Sequence, residues 1–375
     1  MLAVGSQSLV NIVSTKNRDK STVWEASWAI AGITGYVSDL AMTKDGMNMA
    51  FTSECLEYLE IRDVARPAEG KIFAHHNGCG QCICTSLRSG LRRSVDDTCP
   101  IIAHTHGLCA VTFSPCGKRV ATGGLDNTAI IWNISSRSAE IVIKFHTSRV
   151  SDMSFSACGS LLVTCSWDGM ICTWNATTGD HLHILLHEVD LLLQMPVNSV
   201  QICPTNPNEI ASSCVDENKV VLWDLGIAGG VQSRDTQGCR FAIYSPDGLS
   251  IATVAGLSGT FLGTVLRLFR AETGELRFLM YGHSCDVVMA RFSPDSDHLI
   301  SSDEEGNGII WDTSTGLEML QIELPNCTAL TWAPDYVDNT NRTLAFTMGL
   351  QKRLGKTSHV GQMDQELVRM ILDMV

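Results

Sequence analysis

Within residues 146–174 the chain sets out His146, Ser166, Asp168 and Trp174. A serine, a histidine and an aspartate are the parts of a nucleophilic acyl-transfer site: the imidazole takes the hydroxyl proton and the carboxylate orients the imidazole. The set is not unique in this chain. His104, Asp126 and Trp132 repeat it 42 residues earlier, and His283 and Trp311 repeat its ends. His104, His146 and His283 each lie nine residues before a Phe. A triad that returns at each copy of a repeat reads as scaffold, so no catalytic residue is assigned. The copies are also unequal. Glu305 stands at the Asp position before Trp311, and Asp235 and Gly263 stand in the corresponding places of the copy before it.

A second constellation lies at about residues 74–100, where "HHNGCGQCICTSLRSGLRRSVDDTC" holds His75, His76, Cys79, Cys82, Cys84 and Cys99. Cys79 and Cys82 form a C-x-x-C pair, a zinc or redox signal. No second pair of matching spacing follows, so the expectation is a surface loop, with no metal and no cofactor assigned. Arg88, Arg92 and Arg93 make it locally basic. Phosphate-binding G-x-x-x-x-G-K-[ST], H-E-x-x-H and G-x-S-x-G motifs are absent from the chain.

What positions these residues is a repeat. "FSPCGKRVATGGLDNTAIIWN" (113–133) and "FSACGSLLVTCSWDGMICTWN" (155–175) each run from Phe to Trp in 19 residues. Phe292–Trp311 has the same spacing, and so does Met42–Ile61. Ile202–Trp223 spans 21 residues, Tyr244–Phe269 spans 25, and Trp332 starts a seventh unit. Turns such as "SPCG" and "SPDG" alternate with short apolar runs such as "SLLVTCS" and "MICTW". A period near 42 with four short strands is one four-stranded sheet. Such a sheet cannot bury both faces alone, so copies must stack.

"YGHSCDVVMARFSPDSDHLISSDEEGNGIIWDTSTG" (281–316) resembles a WD repeat, down to its Gly-His and Trp-Asp pairs. The resemblance covers about 37–348. It is strongest in units two, three and six. At the end of a unit, Trp-Asp itself stands only at Trp223–Asp224 and Trp311–Asp312. The resemblance implies an all-β fold, a β-propeller of seven blades closed by N-terminal strands, two strands of the last blade from each end. Residues 1–6 are left over, either as part of a further blade or as the sign of a truncated chain. The resemblance also implies that His104, Asp126, Trp132, His146, Asp168, Trp174, His283 and Trp311 form buried structural networks. In these, Asp orients His and the indole finds an acceptor.

The domain expected is thus a propeller over 1–350 and a linker with a short amphipathic helix over 351–375. In that segment Met363, Leu367, Met370, Ile371 and Met374 recur at helical spacing. Their apolar face must bury itself on the propeller or on a partner.

Net charge is −13. A chain that grips phosphates needs a basic surface, so direct nucleic-acid binding is not expected. No apolar run is long enough for a membrane-spanning helix, and the N-terminus does not read as a secretory signal. The 15 cysteines of a chain without that signal read as reduced thiols. These readings make the expected location cytoplasmic, with cytoskeleton, cilium or nucleus as alternatives.

The family binds proteins and peptides through loops on one face. Here Asp39, Arg149, Asp152, Arg240 and Asp286 occupy the loop before the first strand of each unit or that strand's start. They are the partner-binding candidates. The expected function is a non-enzymatic protein–protein interaction scaffold within an intracellular multiprotein assembly. Two alternatives stand beside it. One is a substrate-recognition subunit of an enzyme complex such as a ubiquitin ligase or phosphatase. The other is a metal-binding or redox propeller acting through the Cys/His insertion.

Overall fold

The structure is a computed structural model that describes residues 2–5, 9–18, 21–31, 37–53, 56–63, 70–73, 104–186, 196–214, 219–226, 231–234, 241–254, 264–323 and 329–332. Six blades are each built from four consecutive antiparallel strands. Blade two is typical: Leu108–Phe113, Arg119–Gly124, Thr128–Asn133 and Ser138–Lys144. Blade three follows with Val150–Phe155, Leu161–Ser166, Met170–Asn175 and His181–Leu186. Blades one, four, five and six begin at Asp39, Val197, Phe241 and Val287.

A further four-stranded sheet joins the two ends of the chain. Ala329–Trp332 pairs with Leu2–Gly5, which pairs with Leu9–Arg18 and then Ser21–Ala31. The seven blades expected, the last shared between the two ends of the chain, are six contiguous blades and one composite sheet. The composite takes one strand from the C-terminal side and three from the N-terminal side, not two from each. Residues 2–5, expected to be left over, are its second strand. The reason is a matter of edges. With Ala329–Trp332 alone, the innermost strand of the last sheet would expose a row of unpaired backbone groups, and Leu2–Gly5 fills that row.

The first strand of every sheet lies innermost, and each packs on the first strand of the next until Ala329–Trp332 meets both Val287–Phe292 and Asp39–Met42. The ring is closed. Between blades the inward faces are apolar. Between blades two and three lie Ile131, Ile143, Met153, Phe155, Leu162 and Trp174. Between five and six lie Leu266, Leu268, Phe292, Leu299, Ile309 and Trp311. The central strands are buried on both faces, which is why they read as unbroken apolar runs rather than as alternating ones.

No helix is found among the described residues. The insertion at about 74–100 and the segment 351–375, with Met363, Leu367, Met370, Ile371 and Met374, lie outside them.

Candidate interaction face and the networks beneath it

Each His–Asp pair belongs to a chain of hydrogen bonds that begins at a buried tryptophan. In blade three the Trp174 indole N–H donates to Thr164 Oγ1 at 3.0 Å, and Thr164 Oγ1 lies 2.8 Å from His146 Nε2. His146 Nδ1 lies 3.0 Å from Asp168 Oδ2. One proton assignment satisfies every atom: the threonine hydroxyl donates to Nε2, and Nδ1–H donates to the carboxylate. The imidazole is then neutral. Asp168 also accepts the backbone N–H groups of Thr147 and Met170. Blade two repeats this with Trp132, Thr122, His104 and Asp126 at 2.8, 2.8 and 3.0 Å.

Two sequence readings need correction here. The hydroxyl that bridges Trp174 and His146 is Thr164, not Ser166. Ser166 Oγ donates to the Ser148 carbonyl and accepts from the Asp168 N–H. In blade six the carboxylate is Asp303, not Glu305. Trp311 donates to Ser301 Oγ at 2.8 Å, Ser301 lies 2.7 Å from His283 Nε2, and His283 Nδ1 lies 3.1 Å from Asp303 Oδ2.

The reason is positional. Gly124, Ser166 and Asp303 occupy the same register, opposite Leu108, Val150 and Val287. A Cβ placed on Gly124 would lie 2.6 Å from both Asp126 Oδ1 and His104 Nδ1. The same small volume receives a carboxylate from the turn in blade two and from the strand end in blade six. A serine is small enough to leave it open in blade three. The bridging hydroxyl left a signal that was missed: Thr122, Thr164 and Ser301 each precede their Trp by ten residues.

The networks hold their charges firmly. Burial raises the Asp126 carboxyl, but the hydrogen bond from His104 and the Thr105 and Thr128 donors outweigh that and hold it at about 2. Asp168 and Asp303 shift down for similar reasons. Burial lowers His283, so its imidazole stays neutral. A hydroxyl whose proton is committed to a histidine already bonded to aspartate, and whose lone pair is committed to an indole, attacks nothing. Among the described residues, no group of three His, Cys, Asp or Glu side chains is placed to hold a metal. Burial also raises the Cys165 thiol and pushes Cys172 up to about 12, which leaves both inert.

Of the partner-binding candidates, Asp39 and Asp152 make hydrogen bonds within the ring. Each sits in an innermost strand, and its carboxylate reaches the next blade. Asp39 Oδ2 accepts from the Val111 N–H at 2.9 Å and Asp152 Oδ2 from the Val200 N–H at 3.0 Å. Gln201 Oε1 accepts from the Tyr244 N–H at 2.7 Å in the same way. These bonds stitch blade one to two, three to four and four to five around the axis. Arg291 approaches Asp39 across the ring, at 4.0 Å. Burial, and then the nearby charge of Asp39, push Asp152 up to about 6.

The sign of the resulting pH effect follows from linkage. A carboxyl whose folded-state value lies above its unfolded one binds the proton more tightly when folded. Stability from this group therefore rises as pH falls from about 6 towards 4, and is lost as pH rises through 6. Asp152→Asn has no such dependence. The melting temperature of the variant minus that of the wild type should therefore climb from pH 4 to about 6.5 and then level off. A difference that is flat with pH would show that Asp152 ionises normally.

Arg149 and Asp286 do lie at the rim, on the face that carries the His-bearing loops. Their carbonyls accept from the Trp167 and Glu304 N–H groups, which fixes the two loops to the adjoining turns. Arg240 lies outside the described residues. On the same face the Arg149 guanidinium stacks over the Trp167 ring, 3.3 Å from its centroid. Trp167 is 41% exposed, although it sits between two buried residues of the network. The sequence held the signal: "SWDG" puts the largest side chain in a tight turn, where packing does not require it. Phe145 and Tyr281, in the equivalent loops entering blades three and six, are exposed as well.

The profile of the family "WD domain, G-beta repeat" matches residues 97–133, 139–175 and 274–312. Each matched segment includes a complete Trp–hydroxyl–His–Asp chain and the three inner strands of blade two, three or six. The chain is a WD-repeat β-propeller. Two of the matched repeats open with the outer strand of the preceding blade: Ser138–Lys144 in one and Leu276–Met280 in the other. A WD repeat of this propeller thus straddles two blades, and the covalent chain itself links neighbouring sheets. WD-repeat propellers are generally non-catalytic interaction domains. No helix among the described residues is long and apolar enough to cross a membrane.

Proposed function

We propose that this WD-repeat propeller is a non-enzymatic scaffold that holds proteins together within an intracellular, cytoplasmic assembly, with the His-loop face as its contact surface. The observation that carries the reading is the Arg149–Trp167 stack. An indole 41% exposed, backed by a guanidinium and mounted on a buried hydrogen-bond network, is a rigid aromatic anchor. Anchors of this kind, Trp and Arg above all, concentrate binding energy in protein interfaces. Asp286 on the same rim adds charge selectivity rather than affinity. The net charge of −13 supports proteins over nucleic acids as partners.

The test is affinity capture with the full chain at moderate salt, followed by mass spectrometry. Trp167→Ala is compared with Leu249→Ala, a substitution of an exposed residue in the turn at the opposite end of a blade. A stable stoichiometric partner set should survive Leu249→Ala. It should weaken by roughly 30-fold in Kd, about 2 kcal/mol, with Trp167→Ala. Partners captured equally by both variants would move the site off this face. Partners that bind only after a covalent modification would favour the recognition-subunit reading instead.

A further inference from the structure

We propose that the outer edge of blade three is a self-association surface, on which a second copy of this chain lays its own His181–Leu186 strand antiparallel. Among the described residues that strand ends its sheet, pairing on one side only, with Met170–Asn175. Alternate backbone N–H and C=O groups along an edge strand point outward and form a template for one more strand. Such edges are normally protected by charge. The sequence of the outermost strand of every other described sheet holds at least one charged residue: Lys71, Glu140, Arg234, Arg277, Glu318 and Glu25 in turn. "HLHILL" has no Lys, Arg, Asp or Glu. Its apolar residues are also open to water, with Leu182 42%, Ile184 47% and Leu186 59% exposed.

The pattern of the strand selects its occupant. Leu182, Ile184 and Leu186 repeat at every second residue and are symmetric about Ile184. When two such strands lie antiparallel with Ile184 opposite its own copy, Leu182 falls opposite Leu186 of the partner subunit. Opposed residues of an antiparallel pair share a face, so Ile184, Leu186 and their two copies gather on one side. The bulge that leaves Leu182 as an extra residue recurs in blades two, five and six, so it belongs to the blade and does not single out this edge. The strand is thus its own complement, and a twofold axis through Ile184 closes the pair. Two six-residue strands bury less than the ~1,200 Å² of a standard interface, so the dimer is concentration-dependent. A charge of −13 on each copy opposes approach, so salt favours it.

Sedimentation equilibrium of the full chain, from about 1 to about 500 µM at low and high salt, tests this. The weight-average mass should rise from 40.8 kDa towards twice that with concentration, and sooner at high salt. Ile184→Lys and Leu186→Lys, both at exposed positions, should hold the mass at the monomer while leaving the melting curve unchanged. Leu276→Lys on the edge of blade five should associate as the wild type does. A wild-type chain monomeric throughout overturns the proposal. So does a dimer that survives both lysine variants, or one that salt disperses.

Discussion

Thr164→Val should lower the unfolding free energy by about 3 kcal/mol, because one hydroxyl satisfies two buried groups that nothing else can reach. The Trp174 N–H loses its acceptor and His146 Nε2 loses its donor, both at positions sealed from water. An orphaned buried polar group costs about 1–3 kcal/mol each, and valine recovers little of this through its methyl. Blade five supplies the control. Thr253 occupies the register of Thr164, but Phe269 stands at the Trp position and has no N–H to donate. Thr253 Oγ1 is buried with no hydrogen-bond partner among the described residues. Thr253→Val should therefore be neutral or stabilising, by about 0–1 kcal/mol. The check is the denaturant midpoint of both variants at unchanged slope. Equal losses at the two sites would mean that the network adds nothing beyond packing.

Gly316→Ala should cost about 3 kcal/mol, from two separate sources. Gly316 closes the turn after Asn307–Asp312 with φ +73°, a left-handed conformation that costs an alanine about 1–2 kcal/mol. A Cβ there would also lie 2.5 Å from Phe278 Cγ and 2.7 Å from its Cβ, in the outermost strand of blade five. Phe278 packs on the core between the two blades, so it cannot swing clear without opening that core. Gly179 meets Ile141 of the preceding blade in the same manner, at 2.8 Å. The turn between the third and outermost strands is thus a contact between blades. A thermal melt of Gly316→Ala should show a lower midpoint in one cooperative transition. A midpoint unchanged within error would mean that the seam is loose enough to absorb a methyl.

Much of this was legible because a repeat announces itself. The Phe-to-Trp spacing at 113–132, 155–174 and 292–311 fixed the strand order of three blades. The nine-residue His offset marked which loops share a face. What could not be read was the route by which a side chain reaches a shared volume. Asp126 and Asp303 deliver a carboxylate to equivalent histidines from positions two residues apart in the register. Spacing to the Trp therefore pointed to Glu305 instead. The ring bonds of the Asp39 and Asp152 carboxylates could not be read from the sequence because their donors, the Val111 and Val200 N–H groups, are 72 and 48 residues away along the chain.

By itself, the sequence determined that this protein is a ring of four-stranded sheets, because periodicity and turn chemistry are local properties of the chain. It also determined the buried tryptophans and histidines, which recur at fixed offsets. Only the tertiary structure decided how the ring closes, with three N-terminal strands and one C-terminal strand in a single sheet. Only it decided which polar groups are consumed in holding blades together and which, like Trp167 and the edge of blade three, are left facing outward. Those outcomes depend on pairings between residues far apart in the chain. The free energy that chooses them is the burial of backbone and apolar groups, which becomes defined only when distant strands meet.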